Sequence, residues 1–401
     1  MCYMNNIPYK SSFVDFFVCF VKKSYKKVIK NKEAKEMNIE EIRGIRGIKG
    51  KEELGNREER REGRVKGRIL MVVMMVMGCN SGGVKDPEKV FLSDMVNLGK
   101  GFLDVFVSFG DMITGTLGIK VETKKSEIGG YFSRIENTMK TVKVKLGEIL
   151  EKNGDYPKVK EKVEEFIGKI SKIEEGAKEA ALGASGEDKI GGATNAGQDA
   201  VAADKNSVIS LVKGIKTIVG IVLRDGEGSA DVSKTGEDDK KDIGKLFDGT
   251  KDEAKEENIA KAVASIGAVS GADMLQAIVK SKENPSVYDT DGIEKAGDAA
   301  EIAVAKAVAG KKEIKEGAAK KDAVIAGGIA LRGMAKEGKF AAKNGDAKDA
   351  NALNGAVASA VNKVLSTLVI AIRNKVDEGL KEINKVLGEI KQGEISEAKT
   401  N

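Results

Sequence analysis

The 401 residues include no histidine and no tryptophan, only four prolines and three cysteines, and 4% aromatic side chains. Without an imidazole there is no general base titrating near neutral pH, no histidine metal ligand, and no Ser-His or Cys-His nucleophile pair. Most familiar enzyme chemistries lose their usual proton shuttle. Scarce aromatics beside a large stock of Ala, Val, Ile and Leu suit helices better than β-sandwiches or barrels. Cysteine is equally informative, because Cys79 is the only one after residue 19. A chain cut after residue 78 can form no internal disulfide.

The net charge of +6 is unevenly spread. Residues 1–78 hold 18 Lys/Arg against 10 Asp/Glu, and the remainder holds 50 against 52. A nucleic-acid partner requires a basic stripe that displaces counterions from phosphate, and interspersed lysines and acids near neutrality supply none. No nucleic-acid function is expected.

What is present begins with a leader. Arg57, Arg60, Arg61, Arg64, Lys66 and Arg68 precede nine apolar residues, Ile69 to Met77, followed by Gly78, Cys79 and a polar tether. A basic n-region, a short h-region and a small residue before the cut describe a secretory signal over 65–78. Nine apolar residues are too few to span a bilayer, which takes about 20 in a helix. Val76-Met77-Gly78-Cys79 resembles a relaxed bacterial lipobox, in which the thiol is lipidated and becomes the first residue of a mature chain, 79–401. No cofactor is expected besides that covalent lipid on Cys79. Residues 1–64 contain a low-complexity Ile-Arg-Gly stretch and an isolated Phe run. They read as an extension that is untranslated or removed, with translation starting nearer Val65.

After the tether the pattern is helical. Apolar residues recur in steps of three and four from Phe91 to Met112, from Ile128 to Ile149, and from Val159 to Ile173, the last entered through Asp155-Tyr156-Pro157. The longest series runs from Leu353 through Val357, Val361, Val364, Leu368, Ile372, Val376 and Leu380 to Ile390. The expected fold is therefore all-α. It is an elongated bundle whose N- and C-terminal helices pack together, with both chain ends near the lipid.

Between Gly176 and Asn351 the texture changes. Helical patches at Val208–Leu223, Glu257–Lys280 and Ala299–Val308 alternate with stretches rich in Gly, Ala, Asp, Lys and Ser, such as 183–203, 225–242, 281–298 and 344–349. These are expected to be exposed loops that tolerate exchange, so variable loops are placed over about 183–350. Two motifs in this region fail on inspection. Gly333 to Phe340 has P-loop spacing, but Phe340 stands where a Ser or Thr must hold magnesium. Asp289-Thr290-Asp291-Gly292 has Val287 at the first ligand position of a calcium loop, and so reads as a turn. The pairs Asp238-Asp239 and Glu164-Glu165 read as solvated surface.

Several long motifs resemble the variable large proteins of relapsing-fever Borrelia. They are Cys79-Asn80-Ser81-Gly82-Gly83, Asn97 to Phe106 with Phe109 to Met112, and Asn153 to Val159. The segment Lys320–Lys343 is similar to an invariable segment shared with the recombining surface lipoprotein of Lyme spirochaetes. The resemblance implies a non-enzymatic surface lipoprotein of the outer membrane that evades host antibodies by antigenic variation. An adhesin binding a host protein or glycosaminoglycan through a basic face is the alternative, and the oligomeric state stays open. Within 320–343, Ile325, Ile329, Leu331, Met334 and Phe340 are expected to form a buried core. The expected structure is a helix turning through Arg332-Gly333, with Lys336, Glu337 and Lys339 outward.

Overall fold

The computed structural model describes residues 119–153, 156–250, 254–343 and 347–393. The leader, Cys79 and the expected helix over 86–112 lie outside these residues. Nine α-helices are described: α1 (Lys125–Asn153), α2 (Pro157–Gly183), α3 (Lys205–Val222), α4 (Glu237–Asp242), α5 (Glu256–Ala268), α6 (Gly271–Lys280), α7 (Ala299–Ala303), α8 (Asp322–Met334) and α9 (Ala347–Gly393). Short 3₁₀ turns follow α4 and α6. The fold is all-α, and β pairing among the described residues is limited to three isolated antiparallel bridges, Lys124 with Lys189, Gln198 with Ala342 and Val201 with Lys339.

The periodic stripes become the core. Ile128, Phe132, Ile135, Met139, Val142, Leu146 and Ile149 on α1 are buried, as are Val159, Val163, Phe166, Ile170 and Ile173 on α2. Pro157 occupies the first turn of α2, where its missing N–H costs nothing. The change of texture at Gly176 does not end this helix. Its last two turns continue as Gly176, Ala177, Ala180 and Gly183 because this small-residue face lies directly on α3. A Cβ on Gly176 would stand 2.8 Å from the Gly214 carbonyl oxygen, so any side chain there forces the helices apart.

Helix α9 runs 47 residues, about 70 Å at the usual rise. Residues 347–383 are long and apolar enough to cross a bilayer, yet Leu353, Val357, Val361, Val364, Leu368, Ile372, Val376, Leu380 and Ile383 are buried inside the protein. Helices α2, α3, α5, α6 and α8 pack along α9.

The middle of the chain departs from the expectation. Glu257–Lys280 is two helices bent by 97°, because Ser270 breaks the run and caps α6 reciprocally with Asp273. The patch 299–308 is helical only to Ala303. The stretch 183–203 is not simply exposed, since Ile190, Ala193, Ala200 and Ala203 are buried. In the same range lies α8, every residue of which is buried.

Candidate functional site

All thirteen residues of α8 are buried, including Ile325, Ile329, Leu331 and Met334, and Phe340 beyond its end is fully enclosed. Helices α5, α6, α7 and α9 surround it. Small residues let them close in, with Gly328 against Ile302 of α7 and Gly333 against Val357 of α9. Lys336 and Glu337 are exposed and Lys339 is half-buried. The turn expected at Arg332-Gly333 does not form. The helix runs through both residues to Met334, and Arg332 is fully buried.

An internal helix has a problem at each end, because its terminal N–H and C=O groups have no intrahelical partner and no water to replace one. At the start the Ala323 amide donates to the Val232 carbonyl (3.2 Å), and a buried charge stands at each end. At the first turn stands Asp322, fully buried and complementary to the positive end of the helix dipole. Its carboxylate accepts from the Lys234 amide (2.5 Å), the Thr235 amide (2.8 Å), the Thr235 hydroxyl (2.6 Å) and the Ser265 hydroxyl (2.7 Å). Burial works to raise its pKa, but the hydrogen bonds from Thr235, Lys234 and Ser265 outweigh it and hold the group below the usual carboxylate value.

At the other end Lys125, from the start of α1, sends a fully buried ammonium onto the carbonyls of Arg332 (3.2 Å), Ala335 (2.6 Å) and Gly338 (2.6 Å). Burial, and after it the charge of Arg332, push this lysine down to about 7. The three carbonyls pull the other way, since only an ammonium has a proton for each. To bring the Gly338 carbonyl into reach, the chain turns through Glu337 at φ 67°, a left-handed conformation that a non-glycine residue rarely takes.

Arg332 completes the arrangement. Its Nε donates to the Lys339 carbonyl (2.9 Å) and Nη1 to those of Ile302 (3.4 Å), Ala303 (3.3 Å) and Ala305 (3.0 Å), capping the short α7. The guanidinium lies over the rings of Phe247 and Phe340, 4.9 and 5.7 Å from their centroids. Burial lowers its pKa to about 9, which leaves it charged at neutral pH.

Sequence reasoning missed these three charges. Asp322 and Arg332 did leave a signal, as the only two charged residues between 322 and 334. Lys125 left none, being the second of two adjacent lysines. The former P-loop spacing is accounted for by the same geometry, because Gly333 lies within a helix and Gly338 serves Lys125. Among the described residues no group of three or more His, Cys, Asp or Glu is placed to hold a metal. The lysines of the loop region are interleaved with acids, as in the pairs Lys295–Glu316, Lys315–Glu294 and Lys241–Glu313.

Residues 102–387 match a family of Borrelia lipoproteins. The chain belongs to the Borrelia lipoprotein family. It is 60% identical over 342 residues to variable large protein 4 of Borrelia hermsii, which covers 84% of this chain and 97% of that protein. Variable large protein 19 of the same organism is 40% identical over 356 residues, covering 81% and 93%. The crystal structure of the Lyme disease variable surface antigen VlsE of Borrelia burgdorferi aligns with a TM-score of 0.64 at 33% identity, over 74% of this chain and 98% of that one. This member of the lipoprotein family thus shares its helical fold with a variable surface antigen.

Proposed function

We propose that this chain is a lipid-anchored antigen of the outer surface, held by acyl chains on Cys79, whose exchangeable loops carry antigenic variation. The observation that carries the reading is the loss of identity among relatives of nearly equal extent, from 60% in one variable large protein to 40% in another. A fold that accommodates such change needs a constant interior, and the α8 segment has the burial for that role. Enclosed side chains are out of reach of antibodies on intact cells, so 320–343 stays constant while exposed neighbours change. The leader pattern before Cys79 supports the anchor, since several acyl chains hold a protein stably where one binds marginally.

Two measurements test the reading. With Cys79→Ser, metabolic palmitate label and partitioning into detergent should both be lost; their retention would place the anchor elsewhere. An antibody raised against the peptide 320–343 should bind denatured protein well and intact cells poorly. Equal binding to both would show the segment to be accessible and remove its role as a hidden constant element.

A further inference from the structure

The side chains that hold α8 belong to a wider pattern. Glu301 on α7 is also buried, and it accepts from the backbone amides of Ser286 (3.3 Å) and Gly297 (2.9 Å) in the loop 281–298. Asn354 on α9 clasps Ala193 from both sides, accepting from its N–H and donating to its carbonyl at 2.9 Å each. Lys363 on α9 donates to the carbonyls of Ile266 (2.7 Å) and Val269 (2.9 Å), where α5 ends. With Asp322 on Lys234 and Thr235, and with Lys125 and Arg332 on 335–339, framework side chains reach the stretches 183–203, 225–242, 266–269, 281–298 and 335–340.

These bonds end mostly on main-chain atoms. A backbone amide or carbonyl is the same group whatever side chain the residue carries, proline's missing N–H excepted. The side chains at the gripped positions Lys234 and Ser286 point to solvent. A loop held in this way keeps its course when its sequence changes. A loop held by its own side chains would not.

We infer that Lys125, Glu301, Asp322, Arg332, Asn354 and Lys363 are positioning residues that fix the course of the intervening loops by gripping their main chain, leaving most loop side chains free to change. The exceptions are the loop side chains that join a grip, namely Thr235 at Asp322 and Lys282 and Tyr288 at Glu301, while Ser265, which also donates to Asp322, belongs to α5. These are constrained, as are the loop side chains that are themselves buried, such as Ile190, Ala200, Ala230 and Ile293, while exposed positions such as Asp225, Lys234 and Asp289 are free. The inference stands on geometry alone, so a chain that fails the Cys79 test can still pass the one below.

The test compares two kinds of change in the full chain by amide hydrogen exchange. One variant replaces five exposed loop side chains together: Asp225→Ser, Glu227→Ser, Lys234→Ser, Glu283→Ser and Asp289→Ser. It should keep the protection of the Ala193, Lys234, Thr235 and Gly297 amides within about threefold of the parent. Asp322→Ala should lose at least about tenfold of the protection at Lys234 and Thr235. Asn354→Ala, which leaves α8 untouched, should lose a similar factor at Ala193 alone, and it carries the comparison if Asp322→Ala does not fold. Loop substitutions that cost as much protection as the grip substitutions overturn the inference. So does full protection in both grip variants.

Discussion

Helix α8 and the loop 225–235 lie in contact, joined through Asp322, and they obey opposite rules. In α8 every side chain is enclosed and each is fixed by what surrounds it. In the loop, Asp225, Glu227 and Lys234 are exposed and Asp322 fixes the main chain, while Asp231 pairs with Lys280 and Lys321 and the Ser233 hydroxyl accepts from Lys240. A protein can thus hold one segment by its side chains and the next by its backbone. Sequence change is costly in the first and nearly free at the exposed positions of the second, such as Asp225 and Lys234.

The comparison can be broken at its strongest point. Arg332→Ala leaves the carbonyls of Ile302, Ala303, Ala305 and Lys339 without their donor and opens a cavity under two rings. It should cost about 3–5 kcal/mol, the range for truncating a large buried side chain, and a midpoint shift in chemical denaturation measures it. Ile329→Ala should cost roughly 2–5 kcal/mol at a site 2% exposed. A loss below about 0.5 kcal/mol would mean that α8 yields to change as loops do.

Next in size is Asp322→Asn, expected to cost about 1–3 kcal/mol by weakening a charged acceptor of four hydrogen bonds. It also has a signature in pH. The folded-state pKa of Asp322 lies below its unfolded value of about 3.9, so its contribution is fully present above pH 4 and is lost as pH falls through the folded value. The parent should therefore lose more stability than Asp322→Asn in acid titrations below pH 4. Identical slopes would show that the carboxylate does not hold the loop. The smallest effect is expected for Asp289→Ser in the exposed loop 281–298, within about 0.5 kcal/mol. A larger loss would show that loop side chains carry stability after all.

How much was legible follows from which faces meet water. Helices α1, α2 and α9 each bury one stripe, so their apolar residues recur at helical spacing, and every expected position with described burial, from Ile128 to Ile383, is inside. Helix α8 buries all of its faces, so its apolar residues carry no phase. A turn was read into Arg332-Gly333 because a charged residue beside glycine suggests a surface, whereas the structure supplies the arginine with carbonyl partners 27 to 30 residues earlier in the chain. The two small-residue turns at the end of α2 were misread for the same reason. Their fit depends on Gly214 of α3, which no local pattern announces.

The sequence by itself determined the helical class, the stripes of α1, α2 and α9, and the near-neutral charge of the chain after residue 78, because each of these is a property of residues a few positions apart or of composition. Only the tertiary structure decided that α8 runs unbroken through Arg332-Gly333 with every face enclosed and that Lys125 closes its end. The same holds for Glu301, Asp322, Asn354 and Lys363 and the loops they hold. Lys125 meets its three carbonyls across 207 to 213 residues of sequence. A hydrogen bond to main chain leaves no mark on the identity of the residue that receives it, so these contacts exist only once the chain is folded.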